Sequence, residues 1–113
     1  MFKITVSPTY QYPVEIKLLD EKGKEKTMGF KAEFKRLAQD DIEDVLRRID
    51  EKDINDRELV SMVLIGWQGI QDEAGKELDF TPENMDAVLN IHPVQARVAE
   101  AWFASLAGAQ RKN

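Results

Sequence analysis

The chain has no cysteine and only one histidine, His92. The first absence excludes a disulfide scaffold, a thiolate zinc site and a cysteine nucleophile. The second leaves one imidazole for general-base work, and it stands directly before Pro93 without a G-x-S-x-G elbow or other nucleophile motif. Phosphate-cradling signatures are missing as well, since neither G-x-x-x-x-G-K-[ST] nor G-x-G-x-x-G occurs. The longest apolar run, Met62 to Trp67 counting Gly66, falls far short of the roughly 20 residues that span a bilayer. The opening Met1 to Val6 lacks the apolar segment and small-residue cleavage site of a secretory signal. These absences lead to the expectation of a soluble, cytoplasmic, non-enzymatic protein with no catalytic residue, cofactor or metal.

What is present fits one domain over residues 1–113. The length lies near the mode of domain sizes, and no Gly/Ser/Pro-rich linker divides the chain. Charged residues make up 33% of it, above the average of about 25%, which predicts a well-solvated surface. A net charge of -5 opposes non-specific attraction to phosphate backbones and anionic lipid, so neither nucleic acid nor membrane is expected as a partner. The sign varies along the chain: residues 21–36 carry six basic and three acidic side chains, residues 37–58 nine acidic and four basic. Solvated faces of a hairpin and a helix account for this dipolar pattern, and head-to-tail association is the sharper alternative.

Residues 1–37 read as strand-rich, because apolar and polar residues alternate at a period of two. Phe2, Ile4 and Val6 form one run, Val14, Ile16 and Leu18 a second, and Met28, Phe30, Ala32 and Phe34 a third. The segment from Asp20 to Glu25, with Gly23 free to take a positive φ, predicts a hairpin between the second and third runs. Pro8 to Pro13 reads as a longer loop. The expectation is an N-terminal three-stranded antiparallel meander covered on one side.

Residues 38–108 read as helical. Ile42, Val45, Leu46 and Ile49 recur at helical spacing from Gln39 onward, with Asp40, Asp41, Glu43 and Asp44 in the first turns where the helix dipole favours acids. Asn55 and Glu58 form a capping-box pattern, and Ile54 with Leu59 the accompanying hydrophobic staple. The body that follows, Leu59 to Ile65, is apolar nearly all round and predicts a central buried helix or part of an interface. Gly66 and Gly69 then read as a tight turn around Trp67 and Gln68. Thr81 as N-cap with Pro82 at the first position starts a third helix, and Pro93 a fourth, with Gly108 as its stop and residues 109–113 as a frayed tail. The fold class is therefore α+β, a three-stranded meander packed against about four C-terminal helices.

No constellation stands out as catalytic. The single histidine reads best as a structural residue of its turn, the acids of residues 40–44 as helix-start residues rather than ligands, and Gly66 to Gly69 as a turn rather than an RNA clamp. Trp67 and Trp102 leave two readings open, core or exposed anchor. In the second, Met62, Trp67, Met85, Trp102 and Phe103 are the candidate partner-binding residues, since tryptophan anchors and adaptable methionines suit apolar helical clients.

Several pieces of the last third follow in an informative order: Gly66-Trp67-Gln68-Gly69-Ile70, Phe80-Thr81-Pro82-Glu83-Asn84, His92-Pro93, Trp102-Phe103-Ala104-Ser105-Leu106-Ala107-Gly108-Ala109, and the basic end Arg111-Lys112-Asn113. Together with Arg36-Leu37-Ala38-Gln39-Asp40 before the acidic helix, this succession resembles the tail assembly chaperones of tailed bacteriophages. It departs from them at Ala38, where a capping Ser or Thr is more usual, and at Asn90-Ile91, where aromatic residues often stand. The resemblance implies a small factor of a phage or prophage, acting in the host bacterial cytoplasm and absent from the virion. It further implies binding to the tape measure protein, help in placing tail tube subunits, and a possible homo-oligomer. The alternatives are a structural minor component or connector of the tail and, from another class, a small nucleic-acid-binding regulator using Lys22, Lys24 and Lys26.

Overall fold

The computed structural model describes residues 2–107. The helix stop at Gly108 and the tail at 109–113 lie outside the described residues. The chain folds as a three-stranded antiparallel sheet with four helices, in the order β1 (Thr9–Leu19), β2 (Glu25–Lys35), α1 (Gln39–Asp50), α2 (Asp56–Val63), β3 (Leu64–Gln68), α3 (Pro82–Leu89) and α4 (Val94–Ala107). Within the sheet the order is β1-β2-β3.

The β1–β2 hairpin pairs from Thr9 opposite Lys35 to Leu19 opposite Glu25. Its turn is built by Asp20, whose carboxylate accepts the amides of Lys22 and Lys24 at 2.8 and 2.9 Å, while Gly23 takes φ +78°. Alternation then decides which side is covered. Val14, Ile16, Ala32 and Phe34 are buried, whereas Glu15, Lys17 and Lys31 on the opposite face are exposed.

Two strand boundaries differ from the sequence reading. Pro8 to Pro13 is not a loop, because β1 begins at Thr9 and runs through Pro13. An edge strand tolerates a proline, which withholds a donor only where no neighbouring strand needs one. The third strand is also a different segment. Residues 2–6 lie outside the sheet, and β3 instead comes from Leu64–Gln68, which the sequence had placed in the second helix and the turn after it.

The cause lies in the apolar run itself, since a short run at a buried site fits helix and strand equally by periodicity. Here α2 ends at Val63, and the Leu-Ile-Gly-Trp segment continues extended beside β2. Glu33 pairs with Gly66 and Phe34 with Leu64, which leaves Ile65 as an unpaired bulge residue. Gly66 has a packing reason: a Cβ there would stand 2.9 Å from the Glu33 carboxylate. That carboxylate also accepts the Thr9 hydroxyl at 2.8 Å, so Glu33 reaches from the β1 edge across to β3.

The helix starts follow their local chemistry. The Asn55 side chain accepts from the Glu58 amide at 2.8 Å and the Glu58 carboxylate accepts from the Asn55 amide at 2.9 Å, completing the box. Thr81 accepts from the Asn84 amide at 3.1 Å ahead of Pro82. Ala38 gives α1 no side-chain cap. The α3–α4 junction contains a cis His92–Pro93 bond. Helix α4 packs on β1 and against α2 and α3, and its Val98 and Trp102 complete the core with Phe34, Leu59, Val60 and Val63. Helix α1 is more peripheral, with Val45 its one fully buried residue.

Candidate functional site

The five partner-binding candidates separate into core and surface. Trp67 is 8% exposed and Trp102 1%, so neither indole is offered to a partner. The Trp67 ring packs edge-on to Phe80 with centroids 4.8 Å apart, and its N–H donates to the Leu78 carbonyl at 2.8 Å. A buried indole needs that acceptor, and the bond ties β3 to the approach of α3. Met85 is half-buried against the same core. Met62, at 37%, and Phe103, at 39%, remain on the surface. Phe103 stands edge-on to Trp102 at 5.3 Å, so its ring continues the core outward.

Other apolar surface residues were hidden from the sequence reading. Ile65 is exposed because it sits in the bulge, and Leu46, Ile91 and Leu106 are exposed on or beside helices. Helical spacing alone gives such residues to the core, and only the position of the neighbouring elements shows where the cover stops.

A cleft of about 280 Å³ opens where the start of β1, the end of β2, the start of α1 and the end of α4 converge. Tyr10, Arg36, Leu37, Ile42, Ser105 and Leu106 line most of it. The Tyr10 and Ser105 hydroxyls are 2.6 Å apart, and Ser105 donates to the Trp102 carbonyl at 2.6 Å. Because Ser105 has a single proton, already given to that carbonyl, Tyr10 is the donor to Ser105. The Arg36 guanidinium lies 5.0 Å above the Tyr10 ring and donates from Nε to the Ser7 carbonyl at 2.7 Å. The cleft therefore has a mixed lining, with Leu37, Ile42, Trp102 and Leu106 beside the Tyr10–Ser105 hydroxyl pair and the cationic Lys35 and Arg36.

A second hollow is a broad open groove of about 1290 Å³ over the sheet, lined by Tyr12, Glu15, Met28, Phe30, Lys31 and Glu77 among others. His92 lies exposed in a shallow depression with Asn90, Ile91 and Gln95, and no carboxylate lines it. Among the described residues no charged side chain is buried, and no three His, Cys, Asp or Glu side chains are grouped to hold a metal. Arg47 is the clearest electrostatic feature: a hydrogen bond and charge from Asp44, with Glu51 behind it, raise its pKa further above the ordinary arginine value on the solvated face of α1. Lys22, Lys24 and Lys26 are exposed at the hairpin tip but interleaved with Glu21 and Glu25. Among the described residues, no helix is long and apolar enough to cross a membrane.

The surface is thus one of exposed apolar side chains scattered through a heavily charged exterior. A family model for the YdaY prophage protein matches residues 18–112, most of the chain. The chain belongs to that prophage protein family. The match begins at the end of β1, so residues 2–17 lie outside it. No curated protein and no solved structure matches the chain.

Proposed function

We propose that this prophage protein is a tail assembly chaperone that binds the tape measure protein and aids tail tube assembly in the host cytoplasm without entering the virion. The observation that carries the reading is the pairing of exposed Met62, Ile65, Phe103 and Leu106 with a densely charged, acidic exterior. A holdase for a long helical client needs apolar, adaptable contacts to cover the client's own apolar stripes, and enough charge to keep the complex in solution. The order of motifs from Gly66 onward supports the same reading through the resemblance to tail assembly chaperones. Met62 and Phe103 are the contact residues, with the buried Trp102 ring packed against Phe103; Trp67 and Met85 belong to the core.

The test is co-expression with the tape measure protein of the same prophage. Under this reading the client becomes soluble and co-purifies with the chain, whereas an insoluble client and no complex would remove it. The exposed apolar segment at residues 2–6 favours a second reading, a minor structural component of the tail, because such arms hold subunits together in assemblies. Presence of the chain in purified virions would select that reading.

A further inference from the structure

One stretch of the sheet has backbone groups without a partner. Strand β3 pairs with β2 only over residues 31–34 and then leaves the sheet, because Gly69 takes φ +93° and its amide donates to the Glu77 carboxylate at 2.9 Å. The line of β3 beside residues 25–29 stands open, and among the described residues no hydrogen bond from outside the β1–β2 hairpin reaches it. The two ends of the hairpin show which groups face that opening. The Asp20 amide donates to the Lys24 carbonyl at 2.8 Å and the Arg36 amide to the Pro8 carbonyl at 2.8 Å, with an unbroken register between them. Even-numbered residues of β2 therefore bond to β1, while Glu25, Thr27 and Gly29 turn their N–H and C=O groups outward. The free edge of β1 is guarded at the corresponding place, since Pro13, opposite Lys31, removes an outward N–H. Residues 25–29 contain no proline.

The chemistry of this edge selects what can cover it. Each outward N–H needs an acceptor and each C=O a donor at strand spacing, which an extended backbone supplies and a helix, its own groups already paired, does not. The opening takes about five residues, roughly 17 Å of strand. The broad groove of about 1290 Å³ includes it, with Thr27, Met28, Gly29 and Phe30 lining it beside Gln68 and Gly69. On the core-side face Met28, 50% exposed, and the half-buried Phe30 offer apolar contact to alternate side chains of an arriving strand. Exposed Lys17, Lys24, Lys26 and Lys31 flank the opening against Glu15 and Glu25, a local positive excess in a chain of net charge -5. The segment that fits is extended, apolar at alternate positions and acidic at the others. The β2 edge of a second copy fits badly. Centred on Lys26, self-pairing sets that lysine against its own copy; centred on Thr27, it puts Gly23 of one chain opposite Lys31 of the other, where Gln68 already pairs.

We propose that the β2 edge at residues 25–29 docks an extended, acidic segment of a partner protein as an added antiparallel strand in line with β3. The inference is independent of the chaperone reading, which uses Met62 and Phe103. The probe is a synthetic peptide of about nine residues alternating valine with glutamate, long enough to overhang the opening at both ends. Its twin is N-methylated at the glutamates, whose amides face β2 when the valines lie over Met28 and Phe30. In an NMR titration of the full chain the peptide slows amide exchange at Thr27 and Gly29, which are open in the free chain, and leaves Lys26 and Met28 unchanged. Thr27→Pro removes an outward N–H as Pro13 does in β1, so the hairpin survives, as circular dichroism verifies, and peptide binding weakens by about tenfold or more. The N-methylated twin loses binding to the wild-type chain by the same factor, a comparison that needs no variant to fold. Absence of peptide binding, binding indifferent to N-methylation, or Thr27 and Gly29 amides already protected in the free chain overturns the proposal; protection that grows with chain concentration also overturns it and assigns the edge to a second copy. Capture of the tape measure protein, assayed on the Thr27→Pro variant, reports separately on the chaperone reading.

Discussion

The Tyr10 hydroxyl donates to Ser105 across 2.6 Å, joining the start of β1 to the end of α4 over 95 positions of chain. With Ser105 bonded onward to the Trp102 carbonyl, the pair closes the sheet against its main covering helix at one end. Tyr10→Phe and Ser105→Ala should each cost about 1 kcal/mol, and the double variant less than their sum, because the two removals share one bond. Urea unfolding of the four members of this cycle measures the coupling.

Two turns of the chain have the same construction. Asp20 accepts from the amides of Lys22 and Lys24 ahead of Gly23, and Asp72 accepts from those of Ala74 and Lys76 ahead of Gly75, with both glycines near φ +80°. No atom lies within 4 Å of a Cβ added at either glycine, so only backbone strain opposes a side chain there. Gly23→Ala and Gly75→Ala should therefore each destabilise by about 1 kcal/mol, with Gly→Asn costing less at both sites. Unequal losses in thermal unfolding would show that one turn bears more than its local conformation.

Gly66 presents the opposite case. The obstacle is the end of the Glu33 side chain, which can swing away at the expense of its bond from Thr9. Gly66→Ala should cost about 1 kcal/mol, as loss of one such hydrogen bond does, and the loss should shrink in a Glu33→Ala background. Chemical denaturation of the single and double variants provides the comparison.

Both tryptophans are packing residues, and this governs how contact surfaces can be mapped. Trp67→Ala and Trp102→Ala should each cost about 3–5 kcal/mol, much of the stability of a domain this size. Any client loss in those variants would report unfolding. Met62→Ser and Phe103→Ser, at more exposed sites, should each cost about 1 kcal/mol, a fraction of a full-burial value. Melting temperatures of the four variants should divide into these two groups.

Where local chemistry acts alone, the sequence was a good guide: the Asn55–Glu58 box, the Thr81–Pro82 start and the Gly23 turn all stand as read. The α+β class also stands, with a three-stranded antiparallel sheet and four helices. What sequence could not place was the partner of each apolar run. Residues 2–6 have the alternation of a strand but find no neighbour, while Leu64–Gln68 looks like the end of a helix but gains one in β2. Pairing is a long-range property, and local periodicity is silent on it. The same limit left Trp67 and Trp102 open between core and exposed anchor, and hid the exposure of Ile65 and Leu106.

The most direct test of the proposed function is co-expression of the chain with its prophage tape measure protein, using wild type and a Met62→Asp, Phe103→Asp variant whose melting curve verifies folding. The account predicts that wild type holds the client in the soluble fraction and co-purifies with it, while the folded variant loses both effects. A client that stays insoluble with either chain, or a complex unchanged by the two substitutions, would contradict the account.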